Sequence, residues 1–343
     1  MAVESEAIVL AIKRAQAHAA MSQLSKSAIV AMPPKPAAPQ ARASRALPEL
    51  PPITSGDSFD LAELPAINSV IYGNGNDEKK DQQRRRCMRL PSWVDLGLDP
   101  MSVPYLKQQM RLWHLVSERA EPYDPEHSEL TNATDEGFKR PGVYDTNDTL
   151  IVGDHTIAYG HLLMRSGIKA GDHVLEYGPG FGQLALAFAR TGAIVDTVEV
   201  DPAFHAIVNN LAGIYGVNLR CHRELFGYVP PDRSRFDLVM FYESFHHCLD
   251  FATVVPKIKS ILSTKGKILM AGEPIVQDGS PIVPYPWGIR LDAENLCVVR
   301  ERGWMELGFQ ESFIRNLFES HGFSWTKYDS ISHHSIVYEA KPR

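Results

Sequence analysis

The ten residues from His173 to Gly182, HVLEYGPGFG, end an apolar run in Glu176 and then open into three glycines, Gly178, Gly180 and Gly182. The run reads as a buried parallel strand, the glycines as a tight turn that lets a ligand approach the backbone, and QLALAFARTG as the helix leaving it. Two ligand classes use such a turn: dinucleotides, whose pyrophosphate faces the helix N-terminus, and adenosyl compounds that carry a positive charge instead. The spacing here is GxGxG, with Gln183 where the dinucleotide fingerprint has its third glycine. A carboxylate at Glu176 repels a pyrophosphate and complements an ammonium or sulfonium, so charge favours a cationic adenosyl ligand. IVDTVEVD at 194 to 201 reads as the next strand and sets Glu199 near its end, roughly twenty residues past the turn, where an acid can accept both hydroxyls of a ribose diol. Asp201 suits the cap of a helix starting at Pro202.

A second reactive constellation lies in FDLVMFYESFHHCLD. Residues 237 to 241 read as a fourth buried strand, so Tyr242 to His247 emerge at the carboxyl edge of the sheet, where ligands bind in such folds. A neutral histidine suits removal of a hydroxyl proton, which makes His246 or His247 the candidate base; the competing reading starts a helix with one of them. Glu243 is the other candidate, because burial can raise a carboxyl pKa toward neutrality. Further on, the long segment 274 to 309 carries Trp287, Arg290 and Trp304. Aromatic faces beside charged forks suit a polar ring such as a sugar, although an ordinary loop and hairpin packed on the sheet would use the same residues.

These segments together resemble the class I S-adenosylmethionine-dependent methyltransferase family. VLEYGPGFG is similar to its first motif, VEVD to its second, RFDLVMFYESFHHCLD to its fourth-strand region and LSTKGKILMAGEPI at 262 to 275 to its fifth strand. The resemblance covers roughly residues 154 to 343 and implies an α/β, doubly wound, Rossmann-like sheet of seven strands with the last antiparallel, here with an N-terminal helical cap. It implies S-adenosyl-L-methionine as cofactor, held by Glu176, Gly178, Gly180, Phe181, Gly182, Glu199 and Tyr242. Glu224 stands nearest the family's adenine-contacting acid, with Arg223 in place of the usual glycine. PYPWGIRLD and GWMELGF look like the tails of bacterial methyltransferases associated with glycan assembly. The implied reaction is methyl transfer to a hydroxyl of a small-molecule or saccharide substrate. Its rivals are transfer to nitrogen or carbon of another metabolite, a non-catalytic binding module of the same fold and, behind these, a nicotinamide-dependent oxidoreductase.

Composition bounds the rest. A chain of 343 residues, 44% hydrophobic, can bury one large domain and carry an appendage. Its net charge of −6 argues against a general nucleic-acid binder. Cys87, Cys221, Cys248 and Cys297 lack the CxxC spacing of a zinc site, His333 and His334 read as a turn, and no metal is expected. No run approaches a membrane span, and the acidic N-terminus is unlike a secretory signal, so a cytoplasmic location is expected. Residues 1 to 89 read as a short amphipathic helix, a Pro/Ala-rich disordered linker over 31 to 57 and the charged run DEKKDQQRRR, with order resuming near Leu90. Residues 90 to 153 read as the helical cap, in which Tyr144, like Asp154 just beyond, could reach the cofactor or simply pack and cap. The methyltransferase domain with its insertion follows from 154. Nothing in the sequence sets the oligomeric state.

Overall fold

In the computed structural model, the described residues are 58–74, 76–134, 146 and 148–343. The leader 1–57 and Tyr144 lie outside them. The chain segment expected to belong with the linker forms elements instead. Short strand β1 (Ser58–Phe59) pairs in parallel with β2 (Cys87–Met88), and helices α1 (Leu64–Ile71) and α2 (Asp77–Arg84) lie between them. The charged run is therefore mostly α2, capped by the Asn76 side chain on Glu78 N–H and with no fully buried residue. What holds this segment is its apolar set, Phe59, Leu64, Ile67, Ile71 and Met88, all buried.

Helix α3 (Val103–Ser117) starts at a Ser102 cap followed by Pro104 and stops at Glu118, whose left-handed backbone breaks the helix. Helix α4 (Thr149–Ser166) starts at the Asp148 cap and ends at Gly167, again left-handed. From there strands and helices alternate: β3 (His173–Tyr177), α5 (Gln183–Arg190), β4 (Ile194–Glu199), α6 (Pro202–Tyr215), β5 (Leu219–Arg223), β6 (Phe236–Tyr242), α7 (Phe251–Ile261) and β7 (Leu262–Ala271). An insertion follows, with β8 (Ile275–Val276), β9 (Trp287–Ile289), α8 (Ala293–Arg302) and β10 (Leu307–Gln310). Helix α9 (Glu311–Ser320) and strands β11 (Phe323–Tyr328) and β12 (Val337–Pro342) close the chain.

The main sheet has the order β11-β12-β7-β6-β3-β4-β5, with β12 antiparallel to both neighbours and the other pairs parallel. The order reverses between β3 and β6, the switch point at which such sheets open a ligand crevice. One apolar cluster, including Ala158, Leu162, Leu184 and Phe188, packs α4 and α5 on one side. The other runs from Tyr177 and Phe241 into Phe309, Trp287 and Trp113, and so joins the sheet to the insertion. The insertion is not an extended loop: β8, β10 and β9 form their own small sheet, and α8 packs on α1 and α3. Met88 N–H donates to Leu291 C=O, and Ala293 N–H to Arg86 C=O, at 2.8 Å each, which ties the N-terminal elements to this layer.

Candidate active site

A cavity of about 200 Å³ opens at the carboxyl ends of β3, β4 and β6. Its floor is the turn after β3. Gly178 has φ +68°, and a Cβ there would lie 2.6 Å from Ser244 Cβ, so only glycine lets this turn meet the chain leaving β6. At Gly180, φ +53°, an added Cβ meets nothing within 4 Å, and the space it would enter is the cavity. Gly182 does a different job: it begins α5, lies outside the lining, and a Cβ there would press on Val208 at 2.8 Å. It is a packing glycine rather than a contact.

Glu176 and Glu199 both line the cavity and both are buried. Burial pushes the Glu176 carboxyl up to about 8, and its Oε2 has no hydrogen-bond partner. Glu199 is pushed to about 7, also mainly by burial; its Oε1 accepts from Asp201 N–H at 2.9 Å and its Oε2 from Gly180 N–H at 3.4 Å. Asp201 caps α6 through Ala203 N–H and also accepts from the Thr131 hydroxyl at 2.6 Å. Phe181, packed edge-on against Phe204, lines the same space, as do Glu224 and Tyr242. Tyr242 is tied through its hydroxyl to His155 Nδ1, a partner unseen in the sequence.

The three base candidates separate. His246 does not line the cavity; it is buried, Nδ1 lies 2.9 Å from Glu273 Oε2, and burial holds its pKa well below the usual value. His247 does line it. Burial alone would lower its pKa, but the nearby Glu129 and Glu306 carboxylates prevail and hold it at about 9, so it is a cation at neutral pH. Glu243 also lines the cavity, and burial raises its carboxyl to about 7. Its backbone is left-handed, φ +49°, a cost of order 1–3 kcal/mol for a non-glycine residue. Gly272 makes room for it, since a Cβ there would stand 2.4 Å from Glu243 Cγ.

Of the three expected substrate residues, Trp304 lines the cavity, beside the His247 ring at 6.0 Å. Arg290 is instead bound to Glu306, and Trp287 is core: it is buried against Phe251 and Tyr105, and its indole N–H donates to Pro100 C=O at 2.8 Å. Asp154 is neither a cap nor a cavity residue; it lies within α4, past the Asp148 cap, and pairs with His334. From the expected cap, Pro125, Glu129 and Thr131 reach the cavity, whereas α3 packs on the insertion. Glu273 was the one missed acid with a sequence signal, since it follows the end of β7 as Glu199 ends β4.

Residues 175–270 match the family model of a methyltransferase domain, and the sheet order and the glycine turn after β3 agree with that match. Among curated proteins, it is 51% identical over 41 residues to the ribosomal RNA small subunit methyltransferase A of Bifidobacterium adolescentis, which is 12% of this chain and 14% of that one. It is 27% identical over 101 residues to the ubiquinone biosynthesis O-methyltransferase of Coxiella burnetii, which is 29% of this chain and 43% of that one. The chain thus spans less than half the length of these relatives. Among solved structures, magnesium protoporphyrin IX methyltransferase from Synechocystis PCC 6803 aligns over 66% of this chain and 100% of its own, with 16% identity and a TM-score of 0.46. Among the described residues no helix is long and apolar enough to cross a membrane.

Proposed function

We propose that the chain is a methyltransferase that uses S-adenosylmethionine to methylate a hydroxyl of a small-molecule or saccharide substrate, with Glu243 as the base. The cavity fits this cofactor: the unpaired Oε2 of Glu176 suits a cationic group, the open space above Gly180 admits a ligand against the backbone, and Glu199 suits a ribose diol. When bound, the cofactor supplies an electrophilic methyl on a sulfonium sulfur. This chain's residues must orient the acceptor, exclude water and take the acceptor's proton as the new C–O bond forms.

Glu243 is the observation that carries the choice of oxygen. A carboxyl poised near 7 on the cavity wall, held there by a costly backbone conformation, is suited to receive a proton at neutral pH. An amine acceptor could instead arrive as a free nucleophile and need no such group. His247, as a cation beside Trp304, suits binding of the acceptor's polar groups more than base catalysis. The test is a screen of fractionated cell extract with methyl-labelled S-adenosylmethionine. Label recovered as a base-stable methyl ether supports the reading; label found only on nitrogen or carbon overturns it.

A further inference from the structure

His246, His247 and Glu306 each present a ligand atom, and these atoms lie within 4.8 Å of one another. The partners behind them are arranged as around a metal ion. His246 Nδ1 faces Glu273 Oε2 at 2.9 Å, and Glu273 is itself fixed by the backbone N–H groups of Ser244 and Phe245 at 2.9 Å and His246 at 3.1 Å. With Nδ1 donating there, Nε2 is a bare acceptor, and it confronts a second acceptor, Glu306 Oε2, at 3.7 Å. Two buried acceptors at that separation call for a cation between them. His247 also has a carboxylate behind it, Glu129 Oε2 at 3.1 Å from Nδ1, close enough for an ion pair but without the geometry of a hydrogen bond. Glu129 is anchored through its other oxygen by Met305 N–H at 2.7 Å and the Tyr123 hydroxyl at 2.8 Å. A carboxylate behind the far nitrogen of each histidine is what orients imidazole ligands in metal sites.

Charge points the same way. Three carboxylates, Glu129, Glu273 and Glu306, meet here against two cations, protonated His247 and Arg290, the latter bound to Glu306 Oε2. A carboxylate oxygen has two lone pairs, so that oxygen can serve the guanidinium and an ion together. We propose that His246, His247 and Glu306 form a divalent-cation site of the two-histidine, one-carboxylate type, suited to zinc, cobalt, iron or manganese, whose open side faces the cavity through His247 and Trp304. Each histidine would bind as the neutral imidazole, so an ion here displaces the proton that otherwise makes His247 a cation. Closing on an ion at about 2.1 Å requires modest side-chain rotation from the present spacing. Such an ion would polarise an acceptor oxygen and ease loss of its proton. That consequence rests on the proposed methyl transfer; the site itself does not.

The test is calorimetric titration of the chelator-treated full-length protein with Co²⁺, accompanied by its visible spectrum, with S-adenosylmethionine titrated separately. The site predicts one Co²⁺ bound per chain, with absorption of a nitrogen- and oxygen-ligated ion, and loss of that binding in Glu306→Gln and His246→Gln. Glu129→Gln, which leaves all three ligands in place, should weaken binding about 10- to 100-fold. Thermal unfolding identifies any variant that fails to fold, and Glu129→Gln then carries the comparison. No stoichiometric Co²⁺ on the native protein means that a proton on His247 occupies the cluster, and the proposal fails. Unchanged binding in the folded variants places the ion elsewhere and fails it equally. Cofactor binding without Co²⁺ binding overturns this inference alone; the reverse overturns the cofactor reading alone.

Discussion

Glu243 Oε1 stands 3.4 Å from Nε2 of His334, and the other nitrogen of that ring is 2.8 Å from Asp154 Oδ2. The strained carboxyl on the cavity wall is thereby linked to a histidine whose side chain is 42% exposed. Burial raises the Glu243 pKa to about 7; His334 and Arg290 oppose the rise, while Glu273 and Asp154 add to it. His155, 3.8 Å from Oε2, is itself depressed to about 4 by burial and by His334, so it stays neutral. As a base, Glu243 acts only when ionised, so turnover should climb as pH rises through about 7 and then level off. Replacing His334 by glutamine removes a lowering influence and should move that limb to higher pH. A limb that stays in place would detach His334 from the chemistry.

Glu243→Gln should lower turnover ~10²- to 10⁴-fold while the Kd for S-adenosylmethionine is unchanged, because the base acts only in the transition state. If Glu243→Gln turns over normally, the base has been misassigned.

The raised carboxyls make both stability and cofactor affinity depend on pH, with opposite signs. Glu176 rises from 4.5 to about 8 and Glu199 from 4.5 to about 7, so the folded state holds more protons than the unfolded one between those limits. Stability of the protein alone should therefore fall as pH rises from about 4.5 to 8, and Glu176→Gln should flatten the slope. A bound cation favours ionised Glu176, so binding should release a proton and tighten as pH rises toward 8. Calorimetry in two buffers of different ionisation enthalpy measures that proton directly. Proton uptake would contradict the placement of the positive charge.

Gly178→Ala is expected to destabilise the fold, not merely the site. Its φ of +68° strains any side chain, at about 1–3 kcal/mol, and the Cβ would collide with Ser244 at 2.6 Å. Gly216→Ala, with φ +60° but open space, separates the two effects: it should cost less in a thermal melt. Equal losses would mean that the contact with Ser244 contributes nothing.

Trp304→Ala should raise KM for the methylated acceptor and leave cofactor affinity intact, since Trp304 borders the cavity beside the His247 ring. Trp287→Ala should instead lower the melting temperature, in keeping with a buried large-to-small change of about 3–5 kcal/mol. The two tryptophans look alike in the sequence, and only one touches the cavity.

That pair shows where sequence reading stops. Buried parallel strands such as Val174 to Tyr177 are continuous apolar runs, and the glycine turn and the acids near the ends of β3 and β4 are encoded within a few dozen residues, so the sheet and the turn that floors the cavity were legible. The acceptor side was not. Glu129, His247 and Glu306 come from three distant segments, and nothing in local spacing announces that the insertion folds back to deliver Glu306 beside His246. His334 and Asp154 likewise meet only because the turn before β12 reaches α4. The charged run at 77 to 86 hid a helix whose anchorage lies in the apolar residues on either side of it, Ile67, Ile71 and Met88.

We propose that a cationic adenosyl cofactor lies over the turn after β3, against Glu176 and Glu199. Isothermal titration of S-adenosylmethionine into the native protein, Glu199→Ala and Gly180→Arg tests it most directly. The account predicts one molecule bound per native chain, a loss of about 1.5–3 kcal/mol in Glu199→Ala from the missing charge-assisted hydrogen bonds, and no binding in a folded Gly180→Arg, whose side chain would fill the space above the turn. Equal affinity in all three proteins would place the cofactor elsewhere and contradict the account.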